Sequence, residues 1–307
     1  MVVIDDIIMN NKESETYVAL GSFDGLHYGH LSLVKKTVQV AKENNGKSMV
    51  FTYKNHPKTL VKPESAPKLI MDLETKLKYL EEENIDIVVL KSFNKEFMSM
   101  SAEDFIKFLC LDYNVKGIIV GFNFKFGYKN LGDIDLLKNL QGKYGYELYI
   151  MEPYTYNGDV ISSTRIRKIL LEGDVKQATK MLSKPYLIKG KVIHGKKLGR
   201  TIGFPTANLQ FDENMIIPKK GVYYTNIEYN NKILKGITSV GNNPTVNGKQ
   251  LTIETFILNF NDTIYGQEIK VYFIERIRDE IKFNSLEELI EQIKQDEKFA
   301  IDKDIVV

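Results

Sequence analysis

Two different periodicities divide the chain. Over its first half, short β-branched and apolar runs alternate with stretches that repeat apolar residues every three or four positions, the pattern of a parallel sheet with crossover helices. The runs predict strands over Thr16–Leu20, Ser48–Tyr53, Ile85–Leu90, Gly117–Val120 and Glu147–Met151. The stretches predict helices over Leu31–Lys42, Leu73–Glu82, Ala102–Leu111 and Ile134–Lys143, with two more short ones, Thr164–Leu171 and Val175–Leu182, after the fifth strand. Beyond Ser183-Lys184-Pro185 the helical spacing stops. The runs Tyr186–His194, Gly221–Tyr229, Leu234–Val240, Thr252–Phe260 and Ile269–Ile277 alternate with Asn, Gly and Pro clusters and have no crossover helix between them, which predicts an antiparallel barrel or sandwich. A last helix is predicted with Asn284 or Ser285 as N-cap and Leu286, Leu289, Ile290 and Ile293 along one face. The change of pattern places a domain boundary near residue 184, giving 1–183 and 184–307.

Composition narrows the picture only a little. A chain of 307 residues is long enough for two domains, each with a core of its own. Its 42 Lys+Arg oppose 40 Asp+Glu, and a formal net charge of +2 supplies neither a basic footprint for duplex nucleic acid nor an acidic tail, so no nucleic-acid partner is expected. No apolar run approaches the roughly 18 residues of a membrane span, and the N-terminus is acidic and polar where a signal peptide would be basic and then apolar. A soluble, cytoplasmic protein without a membrane partner is expected. The single Cys110 lies within the apolar pattern of Phe105, Ile106, Leu109 and Leu111, which suits a buried small hydrophobe and excludes an intramolecular disulfide.

The first candidate chemistry follows the first predicted strand. Gly21-Ser22-Phe23-Asp24-Gly25-Leu26-His27-Tyr28-Gly29-His30 leads from that strand into a helix. A glycine-rich turn of this kind brings backbone N–H groups and the positive end of the helix dipole toward an anion, normally a phosphate. His27 and His30 flank Gly29 and can face one concave site, which suits charge stabilisation on a polyphosphate. Metal ligation is the competing reading, but only His56 and His194 remain in the chain to complete such a set.

This turn resembles the HxGH signature of the nucleotidyltransferase superfamily, and its surroundings resemble the prokaryotic bifunctional riboflavin kinase/FAD synthetases. Further segments match that family in order: Phe51-Thr52-Tyr53-Lys54-Asn55-His56-Pro57, Gly121-Phe122-Asn123-Phe124-Lys125-Phe126-Gly127, Ile161-Ser162-Ser163-Thr164-Arg165-Ile166-Arg167 with Gly173-Asp174, and Gly199-Arg200-Thr201-Ile202-Gly203-Phe204-Pro205-Thr206-Ala207-Asn208. The ordered set spans nearly the whole chain. The resemblance implies a Rossmann-like nucleotidyltransferase domain with a parallel sheet, followed by an antiparallel riboflavin-kinase β-barrel with a terminal helix.

The resemblance also implies roles. In the first domain Gly21, Phe23, Gly25 and Gly29 would cradle ATP phosphates beside His27 and His30. Ser162, Ser163 and Thr164 open a helix whose N–H groups and hydroxyls suit the same task; Arg165 and Arg167 are two apart and do not share a helix face, and the family match favours Arg167. Gly121–Gly127 interleaves aromatics with amide and ammonium groups, as a flat flavin ring requires, which suits Phe124 and Phe126, and the resemblance implies Asn123, His56 and Asp174 as further flavin-side residues. Lys54-Asn55 departs from the Asp-Pro usual before His-Pro.

In the second domain, Gly190–Lys196 spells GxxxxGK, but Lys197 stands where Ser/Thr is required and no helix follows, so it is not a Walker A loop. Gly199 and Gly203 beside Lys196, Lys197 and Arg200 form a cationic lip for phosphate, and Thr206 and Asn208 offer oxygen ligands of the kind Mg²⁺ accepts. Periodicity alone makes Glu254 a solvent-facing strand carboxylate; the family match makes it the general base for the riboflavin 5′-hydroxyl. Arg278 matches a flavin-side loop of the kinase. The implied activity is ATP-dependent phosphorylation of riboflavin to FMN, then adenylylation of FMN to FAD, with Mg²⁺ as cofactor and riboflavin, FMN, FAD and ATP as partners. A monofunctional enzyme with one silent site and a non-catalytic flavin or nucleotide sensor are the alternatives.

Overall fold

The computed structural model describes residues 1–6, 14–55, 58–61, 63–195, 198–245 and 248–307. By its contacts the chain forms two compact units, Met1–Ser162 and Ser163–Val307.

The first unit is a six-stranded sheet in which every pairing is parallel. Its strands are β1 (Val2–Asp5), β2 (Thr16–Leu20), β3 (Lys47–Tyr53), β4 (Ile87–Lys91), β5 (Val115–Gly121) and β6 (Glu147–Met151), in the order β1-β4-β3-β2-β5-β6. The connecting helices are α1 (Tyr28–Glu43), a single turn α2 (Lys58–Val61), α3 (Leu73–Glu82), α4 (Lys95–Ser99), α5 (Ala102–Asp112) and α6 (Ile134–Tyr144). All five residues of β2 are buried, as expected of a central strand covered on both faces. Alternation splits them between two cores. Val18 and Leu20 pack with Phe105, Ile106 and Leu109 of α5 and with Leu137 of α6, whereas Tyr17 and Ala19 pack with Val34 and Val40 of α1 and with Leu80 of α3. Gly117 on β5 has no side chain because Tyr17 lies against it; a Cβ there would stand 2.4 Å from the ring.

The chain runs outward from β2 through β3 and β4, then returns to the other side of β2 for β5. The crevice at the carboxyl ends of β2 and β5 is therefore the topological switch point, the place where open α/β sheets take ligands. Both Gly21–His30 and Gly121–Gly127 leave the sheet there. Strand β1, an edge strand paired with β4, and helix α4 were absent from the sequence reading: each is too short to show a period. A small hairpin, β7 (Thr155–Tyr156) and β8 (Asp159–Val160), follows β6. Cys110 is half-buried against the α5 core, and burial pushes its thiol up to about 11, in keeping with a small hydrophobe.

The second unit opens with α7 (Ser163–Glu172) and α8 (Val175–Met181) and continues as a closed antiparallel barrel. The barrel strands are β9 (Tyr186–Ile193), β10 (Thr206–Phe211), β11 (Gly221–Tyr229), β12 (Lys232–Thr245), β13 (Gly248–Ile257) and β14 (Glu268–Arg278). Around it, α9 (Leu198–Thr201) is one turn and α10 (Leu286–Ile301) closes the unit. The contact boundary thus falls before α7 rather than near residue 184. The reason lies in α8, whose buried Val175, Ala178 and Met181 form a face that packs on β14 and β9, a choice of partner that helical spacing does not disclose. Strand β10 was also unforeseen, because its Thr206-Ala207-Asn208 start reads as a turn until pairing with β9 and β13 extends it.

Helix α10 carries the expected cap: the Ser285 hydroxyl accepts from Glu288 N–H at 3.2 Å, and the Glu288 carboxylate accepts from Asn284 N–H at 2.9 Å. The expected stripe is covered only in part, with Leu289, Ile290 and Ile293 half-buried, and the helix's buried positions are Ala300, which packs with Val222, Tyr224 and Ile237, and Asp296. Leu286 is exposed, while Asp296 is 3% exposed and accepts a forked pair of bonds from Arg278, Nη2 at 2.7 Å and Nε at 3.0 Å. Asp296→Ala would leave the largely buried guanidinium uncompensated and should cost about 3 kcal/mol in denaturant unfolding. A loss under about 1 kcal/mol would mean that apolar packing alone holds the helix.

Candidate active sites

The turn between β2 and α1 is built from below. The Asp24 carboxylate, 3% exposed, accepts from the amides of Ile70 at 3.0 Å and Met71 at 3.2 Å. The carbonyl of Ser22 accepts from the Lys76 ammonium at 2.9 Å and from the Thr52 hydroxyl at 3.0 Å. Phe23 and Leu26 sit at φ 50° and 37°, in the left-handed region that bulky residues avoid, with Gly25 between them at φ 86°. A Cβ on Gly25 would also meet Ile70 at 2.9 Å. Asp24, Lys76 and Thr52 were not singled out in the sequence; the available signal was a lysine at a core-facing position of α3, beside Thr75, Tyr79 and Leu80.

His27 caps α1. Its Nδ1 accepts from His30 N–H at 3.2 Å, and its ring stacks on His30 at 3.6 Å between centroids, 15° from parallel. The ring folds back across Gly29, where a Cβ would lie 3.2 Å from it, so the glycine of the pair is a packing requirement. Burial lowers the His27 pKa to about 4. Near neutral pH the ring is uncharged, and because Nδ1 is an acceptor the proton resides on Nε2. The group that remains is a neutral N–H donor at a helix N-terminus, suited to a phosphate oxygen. His30 is half-buried and meets Phe23 edge-on at 5.4 Å.

Beside it, the turn after β5 is only partly a ligand surface. Phe126 is buried, stacks on Phe124 at 5.5 Å and forms a two-bond bridge with Gly132, so it belongs to the core. Asn123 and Phe122 are exposed and Phe124 is half-buried, which leaves those three for a ligand. Ser162 ends the first unit; Ser163, Thr164 and Arg167 lie on the first turns of α7 in the second. Asp174 caps α8 by accepting from Gln177 N–H at 2.9 Å. His56 and Lys196 lie outside the described residues.

The barrel brings the remaining candidates together. Thr206 and Asn208 alternate with buried Ala207 and Leu209 on β10, so they share the opposite face. In the register of β10 with β13, Asn208 is directly opposite Glu254, and the Thr206 hydroxyl lies 3.5 Å from the Glu254 carboxylate. Ser239 of β12 flanks Glu254 on the other side. Thr255 points the other way, into a buried chain of hydroxyls with Thr238 at 2.9 Å and Thr225 at 2.8 Å. Glu254 is half-buried rather than freely solvated. The Asn208 amide occupies the space that a side chain on Gly195 would take, 2.3 Å from such a Cβ. This glycine, part of the misleading GxxxxGK string, therefore has a role that its motif did not suggest.

Gly199 and Arg200 form the single turn α9. A Cβ on Gly199 would be 2.3 Å from the Phe204 carbonyl, and Gly203 has φ 89°. Among the described residues no group of three or more His, Cys, Asp or Glu could hold a metal ion. Thr206, Asn208 and Glu254 offer hard oxygen donors instead, which fits Mg²⁺ shared with phosphates and water. Arg278 is engaged by Asp296, and Asp279 accepts from Arg276 at 2.7 Å.

Two family models match the chain, FAD synthetase over residues 9–165 and riboflavin kinase over residues 182–303, and all the candidates but Arg167 and Asp174 fall within them. The chain belongs to the bifunctional riboflavin kinase/FAD synthetase family. Among its relatives, a bifunctional riboflavin kinase/FMN adenylyltransferase of Bacillus subtilis is 37% identical, covering 96% of this chain and 94% of that protein. The protein of the same description from Escherichia coli K12 is 35% identical over 92% of this chain and 91% of its own length. A crystal structure described as a macrolide-efflux protein from Streptococcus pneumoniae has a TM-score of 0.91, with 33% identity, and covers 99% of this chain and 100% of that one. Among the described residues of the present family member, no helix is long and apolar enough to cross a membrane.

The buried His27 gives this site a pH signature. Its folded pKa of about 4 lies below the ordinary value near 6.5, so the unfolded chain binds the extra proton first as pH falls. Stability should be complete above about pH 6.5 and decline toward pH 4, by on the order of 3 kcal/mol from this residue. His27→Asn keeps an N-cap acceptor and removes the titration, so its unfolding free energy should fall less steeply over that window. Parallel curves for the two proteins would refute the assignment.

Proposed function

We propose that the chain performs two consecutive steps of flavin cofactor synthesis, riboflavin phosphorylation in the barrel and FMN adenylylation at the parallel sheet. The observation that carries the first step is Glu254 facing Asn208 across a strand pair, with the Thr206 hydroxyl 3.5 Å away. Glu254 accepts the proton of the riboflavin 5′-hydroxyl as that oxygen bonds to the γ-phosphorus of ATP and ADP leaves. Thr206 and Asn208 hold Mg²⁺. Bound magnesium supplies charge neutralisation on the phosphates. Gly199, Arg200 and Gly203 are the phosphate-side residues of this reading, with Lys196 assigned to the same role from the sequence, and Arg278 supports the flavin-side loop from its bond to Asp296.

In the second step a phosphate oxygen of FMN bonds to the α-phosphorus of another ATP, and the bond to the departing pyrophosphate breaks. No protein nucleophile is required, so the residues position and stabilise charge. His27 donates from neutral Nε2, His30 stacks behind it, and the turn at Gly21, Phe23, Gly25 and Gly29 receives the phosphates. Ser162, Ser163, Thr164 and Arg167 are the further phosphate ligands of this reading. Asn123 and Phe124 meet the flavin, Phe126 supports them from the core, and His56 and Asp174 complete that side. The substrates are riboflavin, FMN and ATP, with no part for nucleic acid or membrane, and the dependence on ATP favours the cytoplasm.

Incubation with riboflavin, ATP and Mg²⁺, followed by chromatographic separation of FMN and FAD, tests the whole reading; failure to form FMN would sink the kinase half. Glu254→Gln should lower kcat for riboflavin phosphorylation by roughly 10² or more with riboflavin affinity little changed, while supplied FMN is still converted to FAD. Wild-type single-turnover rates would remove Glu254 from the base role.

The functional boundary near residue 184 also yields an outcome. A fragment of residues 163–307, which keeps α8 on the barrel, should phosphorylate riboflavin and make no FAD. A fragment starting at Lys184 should be less stable, since it uncovers the surface that Val175, Ala178 and Met181 occupy. A folded 163–307 fragment without kinase activity would count against separable sites.

A further inference from the structure

A lysine on the buried side of a helix, with no part in either reaction above, stands beneath the phosphate turn. Lys76 is 7% exposed, its ammonium donates to the Ser22 carbonyl at 2.9 Å, and the Thr52 hydroxyl donates to the same oxygen at 3.0 Å. A trans peptide carries its C=O and N–H on opposite sides. With the Ser22 carbonyl drawn toward Lys76 and Thr52, the N–H of Phe23 is directed away from them, and among the described residues nothing accepts from it. The same helix, α3, is preceded by the two amides that hold Asp24, so three of the four donors that hold the turn come from the segment Ile70–Lys76, and the fourth is Thr52 of β3.

We propose that Lys76 is a positioning residue of adenylyl transfer: it fixes the Ser22–Phe23 peptide so that the Phe23 N–H is presented to a nucleotide phosphate. The proposal rests on the reading of the first unit as the FMN adenylyltransferase. A desolvated ammonium is an expensive way to fill a core position, and burial does lower the Lys76 pKa, against the pull of Asp24. An apolar residue would fill the same space without that cost. What the ammonium adds over methionine is a donor aimed at one carbonyl, and that carbonyl belongs to the turn in which Phe23 and Leu26 are held at positive φ.

Lys76→Met keeps the length and apolar stem of the side chain and removes the donor together with the charge that faces Asp24, whereas Thr52→Val removes a donor to the same carbonyl with no change of charge. Fold is followed by thermal unfolding, and riboflavin phosphorylation in the same preparation serves as the internal control, since Lys76 lies outside the barrel. The expected result is a folded protein with unchanged riboflavin kinase activity and a KM for ATP in FMN-to-FAD conversion raised about tenfold or more, with a smaller fall in kcat. Thr52→Val removes the second donor to the same oxygen and should raise that KM a few-fold. A folded Lys76→Met with KM for ATP within twofold of wild type overturns the proposal. Should Lys76→Met fail to fold, Thr52→Val decides, and an unchanged KM there overturns it equally. Formation of FAD by the wild type tests the reading of the site, whereas the ratio of variant to wild type tests Lys76.

Discussion

The turn from β2 into α1 holds two bulky residues in a backbone conformation that each disfavours. Phe23 and Leu26 at positive φ cost on the order of 1–3 kcal/mol apiece. Both side chains are fully buried, and burial contributes roughly 1.5–3 kcal/mol for each. These two effects are of the same size, so the polar anchors decide whether the turn keeps its shape. Two amides on Asp24 and two donors on the Ser22 carbonyl supply that margin. The geometry of the turn proposed to accept phosphate therefore depends on α3 and β3, elements that carry none of the proposed reacting groups.

A different constraint governs the barrel, where everything rests on register. Slipping β13 by one residue against β10 would send Glu254 inward and bring Thr255 out to face Asn208. The inward face resists such a slip. Thr225, Thr238 and Thr255 are each fully buried and satisfy one another's hydroxyls only in the observed pairing, so a shift would strand polar groups in the core. Closure adds to this, since a strand in a closed barrel has neighbours on both sides and no edge along which to slide. The kinase constellation is thus held by a hydroxyl chain on the opposite face of the same strands.

Charge near a motif is not the same as charge available to a ligand. Arg278 binds the carboxylate of Asp296 and thereby docks α10, and Arg276 bonds the Lys220 carbonyl and Asp279. Lys54 forms its bonds with Asp5 and Asp6 at the carboxyl ends of β1 and β3, where the sequence departs from the family's usual Asp-Pro. At Lys54 and Arg278 the cationic character suggested by the motifs is consumed in holding the frame. At the switch point burial keeps His27 neutral, so the donors proposed there for phosphate include an uncharged imidazole beside backbone amides.

The sequence by itself determined the two architectures, because strand runs separated by helical periods leave little but a parallel sheet, and runs without them leave an antiparallel one. Short segments also marked His27, His30, Thr206 and Asn208 as candidates by residue type and spacing, whereas Glu254 was marked only by the family match. Strand β10 and the pairing of Asn208 with Glu254 were decided only by tertiary structure: contact across 46 positions of chain is set by barrel closure, which no window of neighbours contains. The same holds for Phe126, whose aromatic spacing suits ligand or core equally until Phe124 and Phe105 close around it. Lys76 shows the limit most plainly. Its place among the core residues of α3 is readable from helical phase, but its carbonyl partner lies 54 positions away, and only the packing of α3 beneath the β2 turn brings the ammonium to Ser22.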